Sequence, residues 1–151
     1  MIQFTVYGDP APKGSARAFV PKGWTRPIIT SATKGLKAWE GKIAAAAGAQ
    51  ANGVLLTDPV IVTIAFYLSR PKSAKKGPVP HTKRPDLDKL IRGATDALTG
   101  IVWKDDAQAV EIRATKAYVE TQEEAPRAEF TIMPLCETEL VLRPGVVGMF
   151  K

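Results

Sequence analysis

The chain is poor in the residues that build several common kinds of site. It has one cysteine, Cys136, which excludes an internal disulfide framework and a cysteine-rich zinc site. It has one histidine, His81, so a site that needs two histidines from one chain is also excluded. We expect His81 to be solvated, because it lies in a proline-rich segment, and Cys136 to be at least half-buried.

Long apolar runs are missing as well. No stretch approaches the roughly 18 consecutive apolar residues of a membrane-spanning helix. Residues 1–7 contain no basic segment followed by an apolar one, so a signal peptide is not predicted. We therefore expect a cytoplasmic protein with no membrane partner.

The overall composition is that of an ordinary globular domain. Of 151 residues, 45% are hydrophobic and 24% are charged. This apolar content suffices for one hydrophobic core without stabilisation by disulfides or a bound metal. We expect a single domain over residues 1–136. The C-terminal extension, residues 137–151, is predicted to hold a short strand at 140–142 and has no evident role.

Hydrophobic patterning predicts four main strands, over residues 2–7, 59–68, 107–119 and 128–133. The second is almost continuously apolar, which is typical of a central strand. Residues 10–27 are predicted to be a long loop with a short hairpin around 21–23, since they are rich in proline, glycine and cations.

Two helices are predicted between these strands. The first begins with Ser31 as its N-cap and ends near Asn52, with an apolar stripe every three to four residues. The second covers residues 87–99, with Gly100 as its C-cap. The predicted order is β-α-β-α-β-β, an α/β (α+β) domain with two main helices packed on a mixed sheet.

Positive charge is concentrated in two segments. The net charge is +6, and 13 of the 21 basic residues lie in residues 10–42 and 68–85, the second of which has no acid. Such loops are either a solvated surface or a surface that contacts the phosphates of a polyanion. Phe19 and Trp24 lie within the first segment, where they either stack on unpaired bases or anchor the loop to the core.

Negative charge follows directly after the second basic segment. Only three acids precede Asp86, whereas five aspartates fall between Asp86 and Asp106. If Asp86 is the last residue before the second helix, it can converge with Asp88, and Asp88 and Arg92 are i, i+4 neighbours on the polar face. Carboxylates brought together in this way are the ligands that Mg²⁺ prefers.

A purely structural interpretation of the same aspartates is open. Asp86 is a natural N-cap, Asp88 favours the helix dipole, and Asp105 with Asp106 is typical of a turn. A bare D-x-D motif does not decide between the two interpretations.

The order and spacing of several motifs resemble the RusA family of Holliday junction resolvases, which is typical of bacteriophages and prophages. Residues 85–92 (PDLDKLIR), 96–98 (DAL) and 105–108 (DDAQ) are similar to the family pattern D-L-D-N-L-x-K, D-A-L and D-D-x-Q. Residues 8–17 (GDPAPKGSAR) and 67–72 (YLSRPK) are similar to the basic segments that precede it. The resemblance covers about residues 1–133.

The resemblance implies a homodimeric, Mg²⁺-dependent endonuclease, with Mn²⁺ as a possible substitute ion, that places paired nicks in four-way DNA junctions. It implies metal-binding catalytic roles for Asp86, Asp88 and Asp106, an adjoining metal-site role for Asp105, and transition-state stabilisation by Arg92. It implies no small-molecule cofactor, and a location with DNA in the cytoplasm of a bacterial host. The cations expected to bind DNA are Lys13, Arg17, Lys22, Arg26, Arg70, Lys72, Lys75, Lys76, Lys83, Arg84 and Lys89.

Two departures from the family pattern keep alternatives open. Arg92 stands where the family often has lysine, and Lys89 where it usually has asparagine; arginine keeps the charge but is not a proton donor as lysine is. One alternative is therefore a junction-binding protein with weak or no catalysis, and another is a broader nuclease for flaps and forks. A sugar-nucleotide transferase with a D-x-D motif is disfavoured, because 151 residues leave little room for two substrate sites.

Overall fold

The structure, a computed structural model, describes residues 1–14, 17–30, 33–74 and 79–135. The predicted order of strands and helices is confirmed, and so is the short hairpin predicted around residues 21–23, which is a small two-stranded ribbon after the first strand. Within the described residues, no helix has the length and apolar character needed to cross a membrane. The elements are β1 (Ile2–Tyr7), β2 (Arg17–Phe19), β3 (Ile28–Thr30), α1 (Leu36–Ala51), β4 (Val60–Leu68), α2 (Leu87–Leu98), a 3₁₀ turn (Asp106–Gln108), β5 (Ala109–Tyr118) and β6 (Arg127–Pro134).

The main sheet has four strands in the order β1-β6-β4-β5. β4 and β5 are parallel and are joined through α2, whereas β6 is antiparallel to both β1 and β4. The prediction that β4 is a central strand is confirmed, because it is paired on both sides. β1 and β5 are the two edges of this mixed sheet.

One hydrophobic core joins both helices to one face of the sheet. The predicted stripe of α1 is buried, with Trp39, Ile43 and Ala47 in the core. α2 contributes Leu90 and Leu98, both fully buried, and its polar side remains outside. Burial of this apolar stripe, rather than helix propensity, holds α2 in place.

The predicted helix boundaries need two corrections. α1 begins at Leu36 with Gly35 as its N-cap in the left-handed region, at φ 85°, so the predicted start at Ser31 was wrong. The preceding turn, closed by the Leu36 amide on the Thr33 carbonyl at 3.2 Å, delays the helix. The C-cap of α2 is Thr99, and Gly100 with φ +79° is the residue after it.

Three predictions fall where the structure gives no description. Ser31 itself, Cys136 and the C-terminal extension with its strand at 140–142 lie outside the described residues.

The strand directions also define the two ends of the sheet where strands begin and finish, as distinct from its edge strands β1 and β5. β1, β4 and β5 run the same way, so their last residues, Tyr7, Leu68 and Tyr118, lie together at one of these ends, which we call the carboxyl edge. Both basic segments leave the sheet here. The Ser69 hydroxyl, near the start of the second segment, donates to Asp9 Oδ1, just before the first segment, at 2.8 Å. The positive charge of two distant parts of the chain is thereby collected at one edge.

Candidate active site

Asp86 lies at the start of α2 and does not act as a side-chain cap. Its backbone is extended, with φ −71° and ψ 141°, and its carbonyl accepts the first helical bond from the Leu90 amide at 3.2 Å. Its exposed carboxylate makes no capping hydrogen bond. The interpretation that Asp86 is only an N-cap is therefore wrong, and the carboxylate is open to a ligand.

Asp88, in the first turn of α2, is also exposed. The ammonium of Lys89 lies 2.9 Å from Asp88 Oδ2, and this hydrogen bond lowers the pKa of Asp88 below its usual value. The predicted i, i+4 partner, Arg92, is exposed and forms no ion pair within the described part of the chain. Asp88 is thus ionised at neutral pH and has one cation beside it.

The segment that leads into Asp86 is held by β5. The ammonium of Lys116 donates to the carbonyl oxygens of Lys83 and Pro85, at 2.8 and 2.7 Å. These bonds fix the backbone next to Asp86. They also place the start of α2 at the carboxyl edge, beside the basic segments.

His81 belongs to the same support. It is only 7% exposed and packs against the Tyr118 ring, with centroids 4.5 Å apart, so the prediction of a solvated histidine was wrong. The Pro80 backbone bridges to Ala117 of β5, which draws the neighbouring histidine inward. Burial lowers the pKa of His81, and the nearby Lys116 lowers it further.

Asp105 and Asp106 have different surroundings although they are adjacent. Asp105 is the N-cap of the 3₁₀ turn and accepts from the Ala107 amide at 2.9 Å. The Asp105 amide in turn donates to Gln108 Oε1 at 3.1 Å, and Gln108 Nε2 donates to the Leu56 carbonyl at 2.9 Å. Asp106 is exposed and is outside this capping box.

The two aspartate pairs lie at opposite ends of α2. The Trp103 indole donates to the Thr99 hydroxyl at 3.2 Å, so the chain that carries Asp106 starts beside the C-terminal end of the helix. Twelve helical residues span about 18 Å, and Asp86 and Asp88 are at the far end. Accordingly, the described residues contain no group of three acidic, histidine or cysteine side chains that could hold a metal ion.

The first basic segment is bound to the outer side of α2. The Lys13 amide donates to the Lys89 carbonyl at 2.9 Å, and its ammonium pairs with Asp96 and lies 4.0 Å from Glu40. A Cβ at Gly93 would lie 3.2 Å from the Ala11 carbonyl, so this close crossing favours glycine in the helix. The Lys13 ammonium, predicted to contact DNA, therefore faces two carboxylates in this structure.

The remaining predicted DNA contacts have varied surroundings. Arg70 is half-buried and its Nε donates to the Val119 carbonyl at 2.8 Å. Lys75 and Lys76 lie outside the described residues, and for Arg17 the backbone alone is described. The cations with exposed side chains are Lys22, Arg26, Lys72, Lys83 and Arg84.

No supporting role was predicted from the sequence for three residues that hold the site together. The role of Gln108 could have been predicted, because D-x-x-Q before a strand is the spacing of a capping box. The roles of Lys116 and Gly93 could not have been predicted, because both depend on tertiary contacts. Lys116 joins β5 to the loop before α2, and Gly93 lies where α2 meets the first basic segment.

Fold and site together define a basic α+β protein with exposed carboxylates at the start of a helix, next to two cationic segments. The chain matches the family model described as endodeoxyribonuclease RusA over residues 9–133. It is also 31% identical over 141 residues to "Uncharacterized protein YqaN" of Bacillus subtilis (strain 168), covering 87% of this chain and 94% of that protein. The chain belongs to the RusA family of endodeoxyribonucleases, enzymes that resolve Holliday junctions, and the resemblance seen in its motifs is confirmed.

Proposed function

We propose that this protein is a homodimeric, Mg²⁺-dependent endonuclease that makes paired nicks in four-way DNA junctions. The observation that carries the proposal is the pair of exposed carboxylates, Asp86 and Asp88, neither of which caps α2, at the edge where both basic segments leave the sheet. Membership of the family implies DNA cleavage, and these two carboxylates beside the basic segments are where we propose that it takes place.

The residues at the start of α2 fit a hard divalent cation. Mg²⁺ is usually bound by one or two carboxylates together with waters and substrate phosphate, and Asp86 and Asp88 are two such carboxylates without a capping role. When bound, the ion supplies Lewis-acid polarisation of the phosphate and lowers the pKa of a water. Lys116 contributes indirectly, because its bonds to the Lys83 and Pro85 carbonyls hold the backbone that positions Asp86.

Asp106 joins this site most simply through a second copy of the chain. β5 is a sheet edge, with Asp106 at its start and the Pro85–Lys116 contact near its end. In a two-fold dimer with antiparallel β5 edges, the start of one β5 faces the end of the other. The partner's Asp106 then lies beside Asp86 and Asp88, and each dimer has two equivalent composite sites.

Exposed apolar side chains support the same dimer face. Val110 and Ile112 on β5 are 51% and 40% exposed, although Ile112 pairs in register with the buried Val62 of β4. Among the described residues, β5 has no strand on its outer side before the bridge at Ala117, and an exposed strand edge with apolar side chains is usually covered. A second copy along β5 would bury them and leave the two carboxyl edges open to two arms of a junction.

Cations around the site have two proposed roles. Arg92, one turn after Asp88 and exposed, stabilises the negative charge that builds on the phosphate during attack. Lys22, Arg26, Lys72, Lys83 and Arg84 contact backbone phosphates, so junction affinity should fall steeply as salt concentration rises.

The test is incubation of the purified protein with an end-labelled mobile four-way junction, with and without Mg²⁺, on a denaturing gel. Paired cuts that require the ion support the proposal, and 5′-phosphate with 3′-hydroxyl ends are expected. A protein that shifts the junction on a native gel but never cuts it, with Mg²⁺ or Mn²⁺, contradicts the catalytic proposal.

A second candidate is a junction-binding protein with little catalysis. The Lys89–Asp88 ion pair favours it, because a cation already occupies one of the proposed metal ligands. The same two gels separate the candidates, and cutting of flaps or forks at the rate of junctions would identify a broader nuclease.

A further inference from the structure

The β2–β3 ribbon, residues 17–30, presents large apolar side chains to solvent. Phe19, Val20 and Trp24 are 51%, 56% and 61% exposed. The alternative that Phe19 and Trp24 anchor this segment to the core is therefore wrong. Three exposed large side chains on one short ribbon need a partner with apolar faces.

The charge around these side chains identifies the partner. Lys22 and Arg26 are exposed on the same ribbon, between and beside the aromatic residues, and residues 10–39 contain no acid. Aromatic rings interleaved with cations on a segment without acids match a single-stranded nucleic acid, which offers flat base faces next to phosphates. An apolar protein surface would leave these cations without counter-charges.

The ends of the ribbon place it beside the candidate active site. Lys13, before the ribbon, bonds to the Lys89 carbonyl on α2. Leu36, after it, would lie 3.3 Å from a Cβ at Gly93, so described residues on both sides of the ribbon contact α2. Lys89 directly follows Asp88 and Gly93 comes five residues after it, so both contacts lie within about a turn and a half of the proposed metal ligands.

The tip of the ribbon has a defined turn. The Trp24 amide donates to the Pro21 carbonyl at 3.0 Å, and Gly23 has φ +89°, a conformation that other residues rarely adopt. Pro21 restricts the backbone further, because its ring fixes φ. The exposed Trp24 ring is therefore carried by an ordered turn, which reduces the entropy lost when it binds.

We propose that this ribbon reads the branch point of the DNA: Trp24 and Phe19 stack on bases left unpaired where strands exchange, while Lys22 and Arg26 contact the adjoining phosphates. The inference rests on the proposed function, and it names the side chains by which the protein distinguishes a junction from a duplex. A fully paired duplex has no free base face for Trp24, whereas an opened branch point does.

Binding is measured in an Asp88→Asn background, so that the DNA stays intact, with a four-way junction and a duplex of equal length. Trp24→Ala should weaken junction binding about 10-fold, within the range of one lost base stack, and duplex binding less than about 2-fold. Trp24→Phe should restore most of the loss. Gln3→Ala changes an exposed side chain near the start of β1, at the opposite end of the sheet from the basic segments, and should change neither affinity.

A second measurement locates the contact directly. Junctions with 5-iododeoxyuridine at one branch-point base are irradiated with the protein, and the crosslinked peptide is identified by mass spectrometry. The expected peptide contains Trp24 or Phe19, and the same base placed within a paired arm should give much less crosslink.

The outcomes separate the two proposals. If the unmodified chain cuts junctions but Trp24→Ala binds junction and duplex like its parent, the ribbon proposal fails and the proposed function stands. Equal loss on both DNAs also overturns base stacking and leaves a general backbone contact. If the protein neither binds nor cuts a junction, both proposals fail.

Discussion

The aspartate pair before α2 and the aspartate pair before β5 differ in what their side chains do. Asp105 is used by the fold, since it caps the 3₁₀ turn and exchanges bonds with Gln108. Asp86 occupies the equivalent capping position of α2 without forming a capping bond. A cap position alone therefore does not reveal whether an aspartate is structural, and the free carboxylates are the candidates for chemistry.

The comparison also concerns location. The first pair lies at the carboxyl edge with the basic segments, and the second lies near the other end of α2, about 18 Å away. One chain therefore carries the proposed metal ligands at two separate places. This difference leads to the proposal that two chains share each metal ion.

The largest effect is expected from removing an exposed carboxylate that caps no helix. Asp86→Asn, Asp88→Asn or Asp106→Asn should each lower single-turnover junction cleavage at least about 1000-fold, because each removes a ligand of the catalytic ion. Junction binding without Mg²⁺ should be nearly unchanged. Cleavage at the full rate by any of the three would remove that residue from the site.

The structural aspartate should behave differently. Asp105→Ala removes the cap and should cost about 1 kcal/mol of unfolding free energy, or about 2–4 °C in Tm. Asp105→Asn, which keeps an acceptor oxygen, and Asp106→Ala should melt near the parent temperature. If Asp106→Ala is the less stable variant in thermal melts, the roles given to the two neighbours are reversed.

A pH effect is expected from the loop that supports the first pair. Burial lowers the pKa of His81, so the unfolded chain takes up a proton at a higher pH than the folded chain does. Stability should therefore fall as the pH drops below the unfolded value of about 6.5. His81→Phe should show a smaller loss of Tm between pH 7 and pH 5, and an equal loss would show that His81 does not contribute.

The smallest effect concerns the cation beside Asp88. Lys89→Gln removes the ion pair, so the pKa of Asp88 should rise toward its usual value. The Mg²⁺ concentration for half-maximal cleavage should fall, by less than about 5-fold for so exposed a pair. Lys42→Gln is a matched control, because the Lys42 ammonium donates to the Tyr7 carbonyl of β1, the edge strand opposite β5. An increased Mg²⁺ requirement in Lys89→Gln would mean that Lys89 assists the site.

Local patterns made much of the fold predictable from the sequence. Continuous apolar residues identified β4 as central, and the spacing of Leu87, Leu90 and Leu98 located α2 with Asp86 as its cap position. The failures involved tertiary contacts. His81 appeared solvated because its burial depends on a backbone bridge between Pro80 and Ala117, which no local pattern contains.

The candidate site was predictable as a set of residues and not as an arrangement. Motif spacing selected Asp86, Asp88 and Asp106 as ligands of one metal site, but it did not specify whether one chain or two supply them. The 12-residue helix between them separates the two aspartate pairs within one chain, because its length keeps its two ends apart. The proposed association with a second copy would leave no periodic pattern in the sequence, so the sequence could not predict how the two aspartate pairs come together.

Mixing two inactive variants tests the shared site most directly. Asp88→Asn and Asp106→Asn proteins are unfolded together, refolded as mixed dimers and assayed on a four-way junction with Mg²⁺. A mixed dimer has both substitutions in one composite site and an intact second site. With random pairing, half of the dimers are mixed, so about a quarter of all sites are intact. We therefore predict a nicking rate about a quarter of that of the unmodified protein at the same concentration. Mixtures as inactive as either variant alone, although mixed dimers have formed, would contradict a site built from two chains.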